Sequence, residues 1–273
     1  MAMPVIPNIR MPRLGLGTWP MKGAECTAAV QSALALGYRH IDTAEMYGNE
    51  DAVGAGLASS DVPRAEIFLT TKIWNDKPNG AAIRTAFQAS LKRLATPYVD
   101  LLLIHWPSPE LDLADALAGL AAIRAEGLAK AIGVSNFPPR LLQRAIDQGV
   151  GLSCLQVEFH ALLDQSKLLE ICRAHDMALT AYSPLGKGET ANQPVLQDIA
   201  RKHGVTAAQV ALAWLLAQPG VAMVPKAASA ARQAENLAAL DVALDSADLA
   251  AIAALPKDQR FVNPAMAPDW VNG

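Results

Sequence analysis

Three short apolar runs in this chain each lead to a residue able to move a proton or carry charge. Gly37-Tyr38-Arg39-His40-Ile41 runs into Asp42, with Tyr47 in the following loop; Ile67-Phe68-Leu69-Thr70-Thr71 ends on Lys72; Leu101-Leu102-Leu103-Ile104 ends on His105. A carboxylate behind a buried strand is costly unless a cation or several hydrogen-bond donors meet it, and Lys72 is the best partner the chain offers. A phenol is a weak acid, with an ordinary pKa of ~10, but an ammonium beside it favours the phenolate and eases loss of the proton. In that scheme Tyr47 donates the proton, Lys72 supplies the charge, Asp42 holds Lys72, and neutral His105 offers a ring N–H to a carbonyl oxygen. Groups that polarise and protonate a carbonyl oxygen call for hydride at its carbon. No side chain supplies hydride, so a nicotinamide cofactor is expected.

These residues need a scaffold that brings several strand ends together. Eight apolar or β-branched runs, near Leu14, Ile41, Phe68, Leu102, Ile132, Leu155, Leu179 and Met223, alternate with amphipathic, Ala-rich helical stretches. The helices are expected at 27–36, 50–58, 81–94, 112–125, 140–148, 166–175, 195–203 with 207–217, and 231–240. Strict β/α alternation implies a parallel sheet, and eight such units in 273 residues fit an α/β (β/α)8 TIM barrel, a fold of roughly 250 residues. Residues 1–273 read as a single domain, with no linker. Residues 246–254 read as an extra helix, and 255–273 as a C-terminal tail that can lie over the barrel mouth. Barrel enzymes build their sites at the C-terminal strand ends. The polar and aromatic residues there are Thr18 and Trp19, Asp42 and Tyr47, Lys72 and Trp74, His105 and Trp106, Ser135 and Asn136, Gln156, Tyr182 and Ser183, and Lys226.

Composition narrows the partners. With 52% hydrophobic and 18% charged residues the chain can fill a large core, and a net charge of −3 with scattered signs gives no basic field for nucleic acid or an anionic membrane. The expected partner is a small molecule, and the protein is expected to be a monomer. Cys26, Cys154 and Cys172 are odd in number and widely spaced, so no metal site is expected and the thiols fit a reducing compartment. The N-terminus lacks the apolar core of a signal peptide. The longest apolar run, 210–217, is far short of the ~20 residues that span a bilayer. A cytoplasmic location is the expectation.

Gly15-Leu16-Gly17 is followed by Thr18-Trp19-Pro20 without the third glycine of a Rossmann fingerprint. Phosphates in barrels often sit after strands seven and eight, where this chain carries Ser183-Pro184-Leu185-Gly186-Lys187-Gly188 and then Pro225-Lys226 with Arg232.

Taken together, Gly37 to Ala44 with Glu50 and Gly54, Leu103-Ile104-His105-Trp106-Pro107, Ile132 to Phe137, Gln156-Val157-Glu158, Tyr182 to Gly186, and Pro225-Lys226 with Arg232, Glu235 and Asn236 resemble the aldo-keto reductase family over nearly the whole chain. The resemblance implies NADPH-dependent reduction of aldehydes and ketones, with Asp42, Tyr47, Lys72 and His105 as the catalytic tetrad. It implies that Thr18, Trp19, Asp42, Ser135, Asn136, Gln156, Tyr182, Ser183, Leu185, Gly186, Lys226, Arg232 and Asn236 contact the cofactor. Trp19, Trp74, Trp106 and Trp270 would line the substrate pocket with Tyr47 and His105. The ending Arg260 to Trp270 is most similar to the bacterial branch that reduces 2,5-diketo-D-gluconate and methylglyoxal, which makes small aldehydes and such dicarbonyls the expected substrates. Two departures stand out: Ala227 replaces the usual Ser or Thr beside the lysine, and Ala161 ends Phe159-His160-Ala161 where the family has Tyr-His-Pro. The alternatives are a non-catalytic, cofactor-binding regulatory or structural barrel, and an isomerase or aldolase using Lys72 as a Schiff base.

Overall fold

The computed structural model describes residues 3–270. In chain order a short antiparallel pair, β1 (Val5–Ile6) and β2 (Met11–Pro12), precedes β3 (Leu16–Gly17), α1 (Gly23–Leu36), β4 (His40–Asp42), α2 (Glu50–Ala58), β5 (Phe68–Ile73) and α3 (Gly80–Leu94). There follow β6 (Val99–Ile104), α4 (Leu113–Ala125), β7 (Ala129–Ser135), α5 (Pro139–Ile146), β8 (Cys154–Glu158), α6 (Ser166–Ala174) and β9 (Ala178–Tyr182). The chain then forms α7 (Pro194–His203), α8 (Ala207–Leu216), β10 (Val221–Met223), α9 (Ala230–Leu237) and α10 (Ser246–Ala253).

Strands β3 to β10 lie side by side in chain order, every neighbouring pair parallel. The sheet curls, and isolated bridges link residues at its two edges. Leu14 bridges to Met223 and Gly17 to Lys226, and Gly15 N–H donates to the Met223 carbonyl at 2.8 Å. A Cβ on Gly17 would lie 2.5 Å from the Val224 carbonyl oxygen, and one on Gly15 would lie 2.7 Å from the His40 ring. The Gly-x-Gly at this seam therefore serves close backbone and ring approach rather than phosphate binding.

The parallel register sorts the side chains into two cores, because neighbours in register share a face and faces alternate along a strand. Phe68, Leu101, Leu103, Ala131, Cys154, Ala178 and Ala222 form the inner cluster, closed below by Ile6 and Met11 of the β1–β2 pair. The larger outer cluster packs sheet against helices through residues such as Ile41, Leu69, Leu102, Ile132, Leu155 and Leu179. The strands of this inner face also bury polar residues, Thr70 in register with Leu101, Lys72 with Leu103, Thr180 with Ala222, and Gln156 with Thr180.

Among the described residues, five of the ten α-helices start on a side-chain cap that the sequence supplies. Asn79 accepts from Ala82 N–H at the start of α3, Asp112 from Asp115 N–H at the start of α4, and Thr206 forms a capping box with Gln209 at α8. Asp112 is thus the cap rather than the first helical residue. α1 starts at Gly23 instead of Thr27, since Gly23-Ala24-Glu25 carries no apolar period to read. The β1–β2 pair escaped a sequence reading altogether, because its strands are two residues long, with Pro4 and Pro7 flanking β1 and Pro12 inside β2. No helix among the described residues is long and apolar enough to cross a membrane. Residues 271–273, part of the expected tail, lie outside the described residues.

Candidate active site

Asp42 closes β4, and its register partner in β5 is Thr70. Lys72 stands two residues beyond Thr70, hence on the same inward face one pleat higher. It is fully buried and its ammonium donates to Asp42 Oδ1 at 2.5 Å, to the Thr43 carbonyl at 2.8 Å and to the Tyr47 hydroxyl at 3.3 Å. Three acceptors for three N–H donors account for the whole ammonium. Burial pulls the Lys72 pKa down, but Asp42 and then Tyr47 more than reverse it and hold it above its ordinary value. The second Asp42 oxygen accepts from Gln156 Nε2 at 2.7 Å. The buried carboxylate therefore has both a counter-charge and a neutral donor.

Tyr47 ends a 3-10 turn, Glu45–Tyr47, stopped by Gly48 in the left-handed conformation. Lys22 holds its carbonyl from outside, and Glu45 accepts from Trp74 N–H at 3.0 Å, which ties the Tyr47 turn to the loop after β5. The Tyr47 ring meets His105 edge-on with centroids 5.5 Å apart and Trp19 at 5.2 Å. Lys72 lowers the Tyr47 pKa as expected, but burial raises it by more, so the phenol is held above its ordinary value. His105 is held well below its ordinary pKa, first by burial and then by the Lys72 charge. It is neutral, and its buried Nδ1 has no hydrogen-bond partner among the described residues.

The ends of β7, β8 and β9 form a second polar set. Asn136, in the left-handed region at φ 63° that Asn tolerates better than most residues, donates to the His105 carbonyl at 2.9 Å and to Ser135 Oγ at 3.0 Å. Its own Oδ1 accepts from the Tyr182 hydroxyl at 2.7 Å. Ser135 donates to the Gln156 carbonyl at 2.8 Å. The hydrogen bonds of Ser135 and Gln156 thus run within the protein, and neither residue reaches the pocket wall.

A cavity of about 670 Å³ opens above these groups. Of the residues expected from sequence, Thr18, Trp19, Asp42, Tyr47, Trp74, His105, Trp106, Asn136, Tyr182, Ser183 and Lys226 line it. Lys72, Ser135, Gln156, Leu185, Gly186, Arg232, Asn236 and Trp270 lie outside its lining. Arg232 is exposed near the start of α9; Asn236 is buried. Trp270 packs edge-on to Trp106, centroids 6.0 Å apart, with the Arg260 guanidinium 3.7 Å above its ring. Sequence reasoning did not single out Gly17, Met46 or Val224 as lining; the tail expected to be able to lie over the mouth contributes Phe261, Val262, Asn263, Pro264 and Met266, and Lys187 of the expected phosphate loop also lines the cavity. No periodicity marks the first three as lining. Glu158, quoted only as part of a motif, proves to be the buried acceptor that fastens this tail.

A profile of the Aldo/keto reductase family matches residues 13–257. The chain belongs to the aldo/keto reductase family. This family member is 42% identical over 269 residues, 96% of its own chain and 97% of the other, to the methylglyoxal reductase DkgA of Salmonella typhimurium. It is 40% identical to the methylglyoxal reductase DkgB of the same organism, over 95% of this chain and 99% of that one. Among solved structures, a protein assigned as a 2,5-diketo-D-gluconic acid reductase B superposes with a TM-score of 0.95 at 41% identity, covering 99% of this chain and 98% of that one. The aldose reductase from Schistosoma japonicum superposes with a TM-score of 0.91 at 31% identity, covering 97% of each chain. The family places the chain among oxidoreductases acting on carbonyl compounds.

Proposed function

We propose that this protein is a single-domain, closed (β/α)8 barrel that reduces small aldehydes and ketones, including methylglyoxal-like and 2,5-diketo-D-gluconate-like dicarbonyls, with NADPH. The observation that carries the reading is the Asp42–Lys72–Tyr47 series, 2.5 Å and then 3.3 Å, whose Asp42 and Tyr47 line one cavity with a neutral His105. Relatives of similar length that are named methylglyoxal reductases support the choice of substrate.

The lining fits a nicotinamide dinucleotide. Tyr182 offers an aromatic face whose hydroxyl is already held by Asn136, Ser183 and Lys187 adopt left-handed backbone conformations beside the cavity, and Lys226 is an exposed cation at its edge. Tyr182 would support the nicotinamide, the Ser183–Lys187 loop the phosphates, and Lys226 with Arg232 the 2′-phosphate. When bound, NADPH supplies hydride to the carbonyl carbon. His105, neutral and aimed at the cavity beside Tyr47, orients the carbonyl oxygen. Tyr47 gives its proton to that oxygen as negative charge develops. Lys72, fixed by Asp42, stabilises the phenolate left behind, an interaction worth more in the product state than in the resting phenol. Trp19, Trp74 and Trp106 limit access of water.

The same geometry disfavours Lys72 as an amine nucleophile, since its raised pKa keeps it protonated and a Schiff base needs a free amine. Loss of reduced-nicotinamide absorbance on mixing the protein with NADPH and methylglyoxal tests the reading. No turnover with any of methylglyoxal, diketogluconate and simple aldehydes would leave the non-catalytic barrel as the better account.

A further inference from the structure

Glu158 has no place in the proton-transfer series, yet it is fully buried at the C-terminal end of β8. It stands two residues beyond Gln156, so both face inward, one beneath the cavity and one at its rim. Its carboxylate accepts from Phe261 N–H at 2.8 Å, Val262 N–H at 3.0 Å and His160 Nε2 at 3.1 Å, with the Arg260 guanidinium at 3.8 Å. Burial pushes its carboxyl up, but the hydrogen bonds from His160, Phe261 and Val262 together outweigh this and hold it below its ordinary value. The anion is thus retained in a dry setting by donors that belong largely to the C-terminal segment.

The other side of the same peptide is also held. Lys187 donates to the Phe261 carbonyl at 2.7 Å while Glu158 takes the adjoining Val262 N–H. Phe261, Val262, Asn263, Pro264 and Met266 then line one side of the cavity. Neither Glu158 nor the tail contacts Tyr47, Lys72 or Asp42 through any of these bonds.

We propose that Glu158 is a positioning residue for substrate selection: as an anion it clamps residues 261–262 to the rim, and so gives the cavity the wall that suits it to compact carbonyl substrates. The inference rests on the proposed reductase reading for its kinetic arm only. A neutral amide at this site accepts one N–H and turns its own NH₂ toward the other, so the tail loses a fixed point while the proton-transfer series keeps its geometry.

The test compares wild type with Glu158→Gln and with Val262→Pro, which deletes the donor and leaves Glu158 in place. In both variants, KM for methylglyoxal should rise about tenfold with kcat within about threefold, and the kcat/KM preference for methylglyoxal over the bulkier nitrobenzaldehyde should fall about tenfold. Trypsin cleavage after Arg260, followed by mass spectrometry, should accelerate about tenfold as the tail's opening equilibrium shifts. Unchanged proteolysis in whichever variants fold would overturn the inference even if the protein reduced no carbonyl, a failure that would belong to the reductase reading alone. A Kd for NADPH that weakened as far as the KM for methylglyoxal rose would assign Glu158 to the cofactor side and also overturn it.

Discussion

Gln156 Nε2 donates to Asp42 Oδ2 at 2.7 Å across the interior of the sheet, from a strand four places along from the one that Asp42 ends. Lys72 occupies the other oxygen, so the carboxylate is satisfied without water. Gln156→Leu should therefore destabilise the protein by about 1–3 kcal/mol, the cost of leaving a buried acceptor unmet, or roughly 2–4 °C of Tm per kcal/mol at this size. Thermal melts of the two proteins check this, and an unchanged Tm would mean that Asp42 finds another donor.

The buried ion pair should couple strongly. Lys72→Met strands the Asp42 charge and is expected to cost about 3–5 kcal/mol, whereas Lys72→Met with Asp42→Asn should recover a good part of that loss. Denaturant unfolding of the two single variants and the double variant reads the coupling. Additive effects would contradict it.

Tyr47→Phe removes the proposed acid but neither the ring contacts with His105 and Trp19 nor the Lys72–Asp42 pair. The kcat for carbonyl reduction should drop by about 10²–10⁴-fold, with NADPH affinity unchanged by fluorescence titration. A kcat within about threefold of wild type would assign the proton to another donor.

Cofactor choice tests the basic residues after β10. Ala227 is buried, 3% exposed, beside Lys226, and lacks the hydroxyl that the family usually has there. Lys226 and Arg232 are both exposed cations. NADPH should be preferred over NADH by about tenfold or more in kcat/KM, equivalent to roughly 1.4 kcal/mol. Arg232→Ala should raise KM for NADPH far more than for NADH; an equal effect on both would detach these cations from the 2′-phosphate.

Acid stability depends in part on Asp248, the third helical residue of α10 and half of a capping box with Asp245. Burial pushes its carboxyl up, but hydrogen bonds from Lys202, His203 and the Asp245 backbone outweigh that and bring it from 3.8 down to about 2. A depressed carboxylate contributes stability above its unfolded pKa and loses it as pH falls through the folded one. Wild type should thus lose Tm steeply from pH 3.8 toward about 2, and Asp248→Asn should lose less over the same interval from a lower starting point. Parallel curves for the two proteins would remove Asp248 from the acid transition.

Local sequence determined that this chain alternates strands with helices and that its strand ends carry Asp42, Lys72, His105, Asn136 and Tyr182, because pleat and helix periods are set within a few residues of each position. It also supplied the family, whose motifs are short and contiguous. Sequence also named Lys72 as the partner of Asp42, and the structure joins them; tertiary structure alone decided the remaining partners. Gln156 and Ser135 face other protein atoms, burial and not Lys72 dominates the Tyr47 hydroxyl, and the tail owes its place at the cavity to a carboxylate some hundred residues earlier in the chain. Hydrogen bonds of that span leave no periodic trace in sequence, and desolvation depends on what every neighbouring strand contributes. The physical reason is the same in each case: the energies that set these contacts depend on distances that exist only once the sheet has curled.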